Sequence, residues 1–135
     1  MTSELPEGKS AYELIGGELR LRELVDRFYD RMDLDPSFKL IRDMHPADLS
    51  SSRDKLFWFL SGWMGGPDLF VERFGHPKLR ARHLPFSIGT PERDQWLTCM
   101  AHALADLEIK GDFFEKLMAS FYGTADWMRN RADNV

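Results

Sequence analysis

The sequence predicts an all-α protein, and three observations carry that expectation. Val, Ile and Thr together number only 11 of 135 residues, too few to furnish a sheet. Apolar residues recur at i, i+3 and i+4 over four long windows, the period of a helix with one buried face. Helix start and stop signals stand at the edges of those windows.

Ser10 and Glu13 form a capping-box pattern that opens a short helix, and Gly16-Gly17 stops it. A continuous stripe follows: Leu21, Leu24, Val25, Phe28, Tyr29 and Met32. Asp35-Pro36 punctuates it, a short apolar segment with Phe38, Leu40 and Ile41 comes next, and His45-Pro46 breaks the chain again. Asp48, or one of Ser50, Ser51 and Ser52, caps a helix carrying Leu56, Phe59, Leu60 and Trp63, which Gly65-Gly66-Pro67 ends. Prolines and glycines across residues 67–89 leave room for short helices only. Thr90-Pro91 reads as an N-cap with proline at the first helical position, ahead of Trp96, Leu97, Met100, Ala103, Leu104 and Leu107. After Lys110-Gly111, Asp112 with Glu115 is expected to cap the last helix, whose stripe is Phe114, Leu117, Met118, Phe121, Ala125 and Met128. Four substantial helices and the short pieces between them make one domain, residues 10–135, behind a polar, flexible extension of residues 1–9.

Composition removes several classes. The longest apolar run, Leu56-Phe57-Trp58-Phe59-Leu60, is far below the ~20 residues of a membrane span. The first ten residues are polar and hold no secretory apolar region. The single cysteine, Cys99, forms no internal disulfide and reads as a small core residue of a cytoplasmic protein. A net charge of −4 makes a poor nucleic-acid binder. Hydrolase, phosphate-loop and zinc signatures are absent.

The four histidines, His45, His76, His83 and His102, show no i, i+3 or i+4 pair, so a metal site built from protein ligands alone is not expected. One histidine still suffices for a metal that arrives with its other ligands. His83 suits that role best. Residues 73–83 hold four cations (Arg73, Lys78, Arg80, Arg82) and no acid, and Leu79, Phe86 and Ile88 flank the imidazole. A flat apolar group would lie against those side chains, with Arg82 at its anionic rim. The plainer reading is a helix-end histidine bonded to carbonyls beside a solvated basic face. Tyr29 and Trp96 read either as ordinary core rings or as two donors converging on a small ligand. Ser52 and Leu56 share one helix face, and His45 sits at a corner. With 10 Phe, 4 Trp, 3 Tyr and 7 Met, the chain is richly supplied with flat and polarizable apolar surface.

In order along the chain these residues resemble the truncated (two-over-two) haemoglobins, and within them group II. The matching stretches are Tyr12-Glu13-x-Ile15-Gly16-Gly17, Arg27-Phe28-Tyr29, His45-Pro46-x-Asp48-Leu49 and Gly65-Gly66-Pro67. Gly75-His76-Pro77-x-Leu79-Arg80-x-Arg82-His83-x-Pro85-Phe86-x-Ile88 and Arg93-Asp94-x-Trp96-Leu97-x-Cys99-Met100 are the most specific. The resemblance implies a compact two-over-two helical sandwich globin enclosing haem b. It implies His83 as the proximal iron ligand and a distal side formed by Tyr29, His45, Trp96, Ser52 (or Ser51 in the adjacent register) and Leu56. Lys55 and Arg82 would approach the propionates, and Phe59, Leu79, Phe86, Ile88 and Met100 would wall the cofactor. O2 and related diatomics (NO, CO), or peroxide, are the implied ligands. NO dioxygenation or peroxide reduction is the redox chemistry, with a reductase as partner and a monomer or weak dimer as the assembly. The reading from a different class is a haem-free helical interaction module whose Met and aromatic stripes pack on a partner.

Overall fold

Two pairs of long helices build the protein. The computed structural model describes residues 8–132 and contains α1 (Ala11–Ile15), α2 (Glu18–Leu34), a 3-10 turn (Pro36–Phe38) and α3 (Lys39–Arg42). There follow α4 (Ser50–Trp63), α5 (Leu69–Phe74), α6 (Leu79–His83), α7 (Thr90–Asp106) and α8 (Gly111–Trp127). Helix α2 packs on α4 and crosses α7, and α7 packs on α8, so two antiparallel-connected pairs lie face to face. No strand forms among the described residues. Residues 1–7 of the expected N-terminal extension lie outside the described residues; Gly8 and Lys9 are exposed.

The α2 stripe is the centre of the core. Leu21, Leu24, Val25, Phe28 and Met32 are all essentially inaccessible, and they meet Cys99, Met100, Ala103 and Leu104 of α7. Each large side chain so buried contributes on the order of 1.5–3 kcal/mol relative to exposure. On α8, Leu117, Phe121 and Met128 are buried, while Phe114, Met118 and Ala125 are half-covered. Leu40 of the short α3 points outward, 45% exposed, leaving Phe38 and Ile41 to anchor that segment.

The Ser10–Glu13 capping box forms: Glu13 N–H donates to Ser10 Oγ at 3.2 Å, and Ser10 N–H donates to Glu13 Oε1 at 3.2 Å. Asp48, rather than a serine, accepts the Ser50 N–H at the start of α4, at 2.9 Å. Two expected caps shift by a residue. Helix α7 begins at Thr90, its flank being Gly89, whose N–H is taken by Glu92 Oε1 at 2.8 Å; the glutamate can do this from inside the helix and so displaces Thr90 from the cap. Asp112 lies within the first turn of α8, where its charge favours the positive helix end without capping it.

The glycine pair after α4 has a steric cause. A Cβ at Gly66 would sit 2.5 Å from Tyr12 ring carbons, and Gly65 holds φ +89° against Ser10. This close approach lets Tyr12 N–H donate to Met64 O at 2.9 Å, joining α1 to the end of α4. Arg53 reaches from α4 to Asp26 and Asp30 of α2, at 3.1 and 2.7 Å, and Arg31 of α2 grips Asp106 at the end of α7. These partly exposed pairs set helix register more than stability, at about 0–1 kcal/mol each. No helix of the described residues is long and apolar enough to cross a membrane.

Candidate functional site

The stripe period puts Phe28 and Tyr29 on the inner face of α2, and the same period puts Trp96 on α7 opposite them. Tyr29 meets Phe28 edge-on at 5.0 Å between ring centroids, and Phe28 meets Trp96 at 5.2 Å. His45, at the corner after α3, sets its ring against Tyr29 at 5.6 Å. Trp96 in turn touches Phe121, on which Trp63 stacks at 4.6 Å. The sequence-selected Tyr29, His45 and Trp96 thus occupy one run of rings.

His83 ends α6. Its Nδ1 lies 2.7 Å from Leu79 O, and His45 Nδ1 lies 2.7 Å from Ile41 O. A carbonyl only accepts, so in both rings Nδ1 carries the proton and, in the neutral form, Nε2 holds a lone pair. The positive form of His83 disfavours a charge on His45, so the two imidazoles share one electrostatic space. Burial is the main force lowering the His45 pKa from 6.5, ahead of the opposing bond to Ile41 and the charges of Arg42 and His83. His45 is therefore neutral at pH 7, and its Nε2 accepts rather than donates. The Tyr29 hydroxyl is held well above its ordinary value by burial, partly offset by Arg53, and stays a proton donor. Among the described residues no group bonds the Tyr29 hydroxyl or the Trp96 indole N–H, and no buried side-chain nitrogen or oxygen is left wholly enclosed without a partner. Both donor atoms therefore keep some accessible surface.

The remaining selected residues fall around this space to different degrees. Ser52 is half-buried while Ser51 is exposed, which places Ser52 on the inner side of α4. Leu56 and Phe59 are partly buried against the core, Phe59 edging Phe70 at 6.4 Å. Ile88 is buried, Leu79 half-buried, and Phe86 is 42% exposed. Met100 has no accessible surface and packs within the core. Lys55 is exposed with no carboxylate partner. Arg82 Nε donates to Pro77 O at 2.6 Å, and its guanidinium lies over the Phe70 ring at 5.2 Å. Cys99 is inert: its Sγ donates to Phe28 O at 3.2 Å, and burial pushes its thiol up to about 12.

One residue that carries the site was not legible in the sequence. Asn130, just past α8, donates from Nδ2 to Phe86 O at 2.7 Å and to His83 O at 3.4 Å, and its Oδ1 accepts the Ile88 N–H at 2.9 Å. Its own N–H donates to Ile88 O at 2.8 Å, while Arg80 Nη1 donates to Trp127 O and Arg129 O. The chain end is thus a strap over the loop that follows His83. A lone polar residue after a helix has no period or motif to announce it. Asn130→Ala should leave the Ile88 N–H and the Phe86 and His83 carbonyls without this partner and cost about 0.5–1.5 kcal/mol in urea unfolding, with the loop amides of residues 86–88 losing hydrogen-exchange protection first.

This fold and this placement of rings are those of a small globin. Residues 10–130 match the family described as bacterial-like globin, and the chain belongs to it. It is 42% identical over 122 residues to the group 2 truncated haemoglobin YjbI of Bacillus subtilis, spanning 90% of this chain and 89% of that one. Among solved structures, the cold-adapted truncated haemoglobin of Pseudoalteromonas haloplanktis superposes with a TM-score of 0.87 at 47% identity, covering 92% of this chain and all of the other. The group II 2-on-2 haemoglobin of Agrobacterium tumefaciens gives 0.87 at 40% identity, covering 94% and 98%. The resemblance to group II truncated haemoglobins is borne out, and with it haem as cofactor and haem-based oxygen binding. The chemistry of the donor set fits such a group: a histidine with a lone pair on Nε2, apolar side chains near it in the chain, and two unengaged donors on α2 and α7.

Proposed function

We propose that His83 ligates haem iron through Nε2 and that Tyr29 and Trp96 hold the bound ligand on the opposite face. The observation that carries this reading is that Leu79 O fixes His83 with Nε2 as its lone pair, while Tyr29 and Trp96 carry donors that bond nothing among the described residues. Bound haem supplies an iron that takes O2, NO or CO. The chain supplies the rest. Leu79 O orients His83 and raises its basicity. Tyr29 O–H and Trp96 N–H would donate to a partly negative diatomic ligand held there, in surroundings where such bonds are strengthened by exclusion of water. His45 Nε2 would accept from a protonated ligand such as peroxide. Ser52, Leu56, Phe59, Phe86 and Ile88 line the remaining walls, Met100 backs them, and Lys55 and Arg82 meet the propionates.

Two strong donors favour slow oxygen release, which suits redox chemistry on NO or peroxide in a cytoplasmic setting better than oxygen transport. A reductase must then return the iron to its ferrous state. Stopped-flow mixing of the oxygenated protein with NO tests this: ferric haem and stoichiometric nitrate are expected within the mixing time. Release of O2 within milliseconds would overturn the redox reading. Purified protein without a Soret band would favour the haem-free interaction module instead.

His45 adds a pH dependence with a definite sign. Its folded pKa is depressed, so the unfolded chain binds more protons, and stability falls as pH drops through 6.5 toward the lower folded value. Over the same window Nε2 changes from acceptor to donor. Oxygen release is expected to slow as pH falls below 6.5, and His45→Phe is expected to flatten that profile. An identical profile in the variant would assign the titration elsewhere.

A further inference from the structure

We infer that the face formed by α5, α6 and the turn between them is the docking surface for an acidic one-electron carrier protein; this rests on the haem reading above. The chain carries 18 basic and 22 acidic side chains, yet residues 69–83 hold four basic ones against one acid, Glu72. Elsewhere the cations are mostly neutralised locally: Arg20, Arg22, Arg31, Lys39, Arg42, Arg53, Arg93 and Arg129 each hold a carboxylate. Arg73, Lys78, Arg80 and Arg82 hold none. Three of these side chains are nevertheless fixed. Arg73 lies over the Trp58 ring at 4.5 Å and donates to Leu69 O at 3.2 Å, Arg82 is tied to Pro77 O, and Arg80 to the carbonyls of Trp127 and Arg129. Lys78 stands at φ 47°, a left-handed turn that lifts its exposed side chain between the two helices.

Positive charges held in place without acid partners create a local field opposite in sign to that of the whole chain, which orients an acidic partner during encounter. Exposed Val71, Phe74 and Leu84, at 40%, 45% and 57%, supply the apolar contact that a docked complex needs beside its charged rim. The surface also adjoins the residue proposed to hold the iron. Arg82 precedes His83 directly, one ~3.8 Å Cα step away. The transfer is one electron from a reduced iron–sulfur or flavin protein to ferric haem; the carrier is oxidised by one electron, the iron becomes ferrous, and no bond to the protein forms or breaks. No reductant within the chain competes for this role, since the thiol of Cys99 is buried.

The test uses the haem-loaded protein and plant-type [2Fe–2S] ferredoxin, an acidic one-electron carrier, as probe. Oxidised ferredoxin, which donates nothing, measures docking by titration calorimetry; reduced ferredoxin measures ferric-haem reduction by stopped flow. Binding should weaken and the second-order rate should fall by about tenfold or more from low to physiological ionic strength. Arg73→Glu combined with Lys78→Glu should produce a comparable loss at low salt, with reduction by neutral photoreduced lumiflavin unchanged. Lys110→Glu, at the other end of the ~25 Å α8, should change neither. A salt-independent rate, or equal losses in the double variant and in Lys110→Glu, would overturn the assignment. Capture by vesicles containing 30% phosphatidylserine with no ferredoxin binding would also overturn it, in favour of an anionic membrane surface. Absence of a Soret band would instead overturn the haem reading on which the inference stands, so the two failures are distinguishable.

Discussion

His83→Ala is expected to abolish stable ligation of haem. Leu79 O takes the Nδ1 proton, so Nε2 is the one lone pair that α6 offers, and none of the other histidines has a spacing that could replace it. Removing a bond that merely supports a ligating histidine costs ~10–100-fold in metal affinity. Removing the ligand itself should exceed that, read as faster haem transfer to an excess of apomyoglobin and a collapsed or displaced Soret band. Added imidazole should partly restore the spectrum, because the truncated side chain leaves a cavity of its own shape. Helicity should be close to wild type, since His83 is only half-buried and ends a five-residue helix. An unchanged spectrum with unchanged CO binding would remove His83 from the site altogether.

Trp96→Phe should accelerate oxygen release by the worth of one charge-assisted hydrogen bond, ~1.5–3 kcal/mol or roughly 10–150-fold. The substitution is well suited to isolating the indole N–H. Trp96 meets Phe28 and Phe121 through its ring, at 5.2 and 5.5 Å, and phenylalanine retains much of that contact. CO carries little negative charge when bound, so its release should change far less. Equal acceleration for both ligands would mean that the variant opened the pocket and that no hydrogen bond was involved. Tyr29→Phe makes a second measurement on the same network. If the two donors act on one oxygen atom, their effects will fall short of adding, as coupled neighbours do.

The architecture was legible wherever a face repeats. Every residue of the Leu21–Met32 stripe is buried, because a period of 3.6 sustained over three turns leaves little else for that face to do. Gly65-Gly66 and the Ser10–Glu13 box were equally readable, since backbone approach and reciprocal capping restrict which residue types fit. The caps expected at Thr90 and Asp112 fall at Gly89 and Lys110: Glu92 takes the Gly89 N–H, and α8 starts at Gly111 with no side-chain cap, so Asp112 lies inside its first turn. The candidate site was legible in a different way. Tyr29 and Trp96 look like core residues by position, and only the Gly-His-Pro and Arg-Asp-x-Trp blocks separated them from Phe28 or Leu97. The direction of the His45 hydrogen bond was out of reach, because it depends on one carbonyl, Ile41 O, whose placement is set by the end of α3. Asn130 was out of reach for a related reason: its partners lie more than forty residues upstream and share no pattern with it.

That distance bears on how the protein is made. Asn130 bonds the backbone of His83 across 47 residues, so the loop after the histidine has its final form only once residue 130 has been synthesised. A nascent chain that has released α6 and α7 already owns Tyr29, His83 and Trp96, but it lacks the strap that sets the loop after His83. Cofactor capture in its final geometry thereby waits for residue 130, and a chain cut short of it is expected to hold haem more loosely.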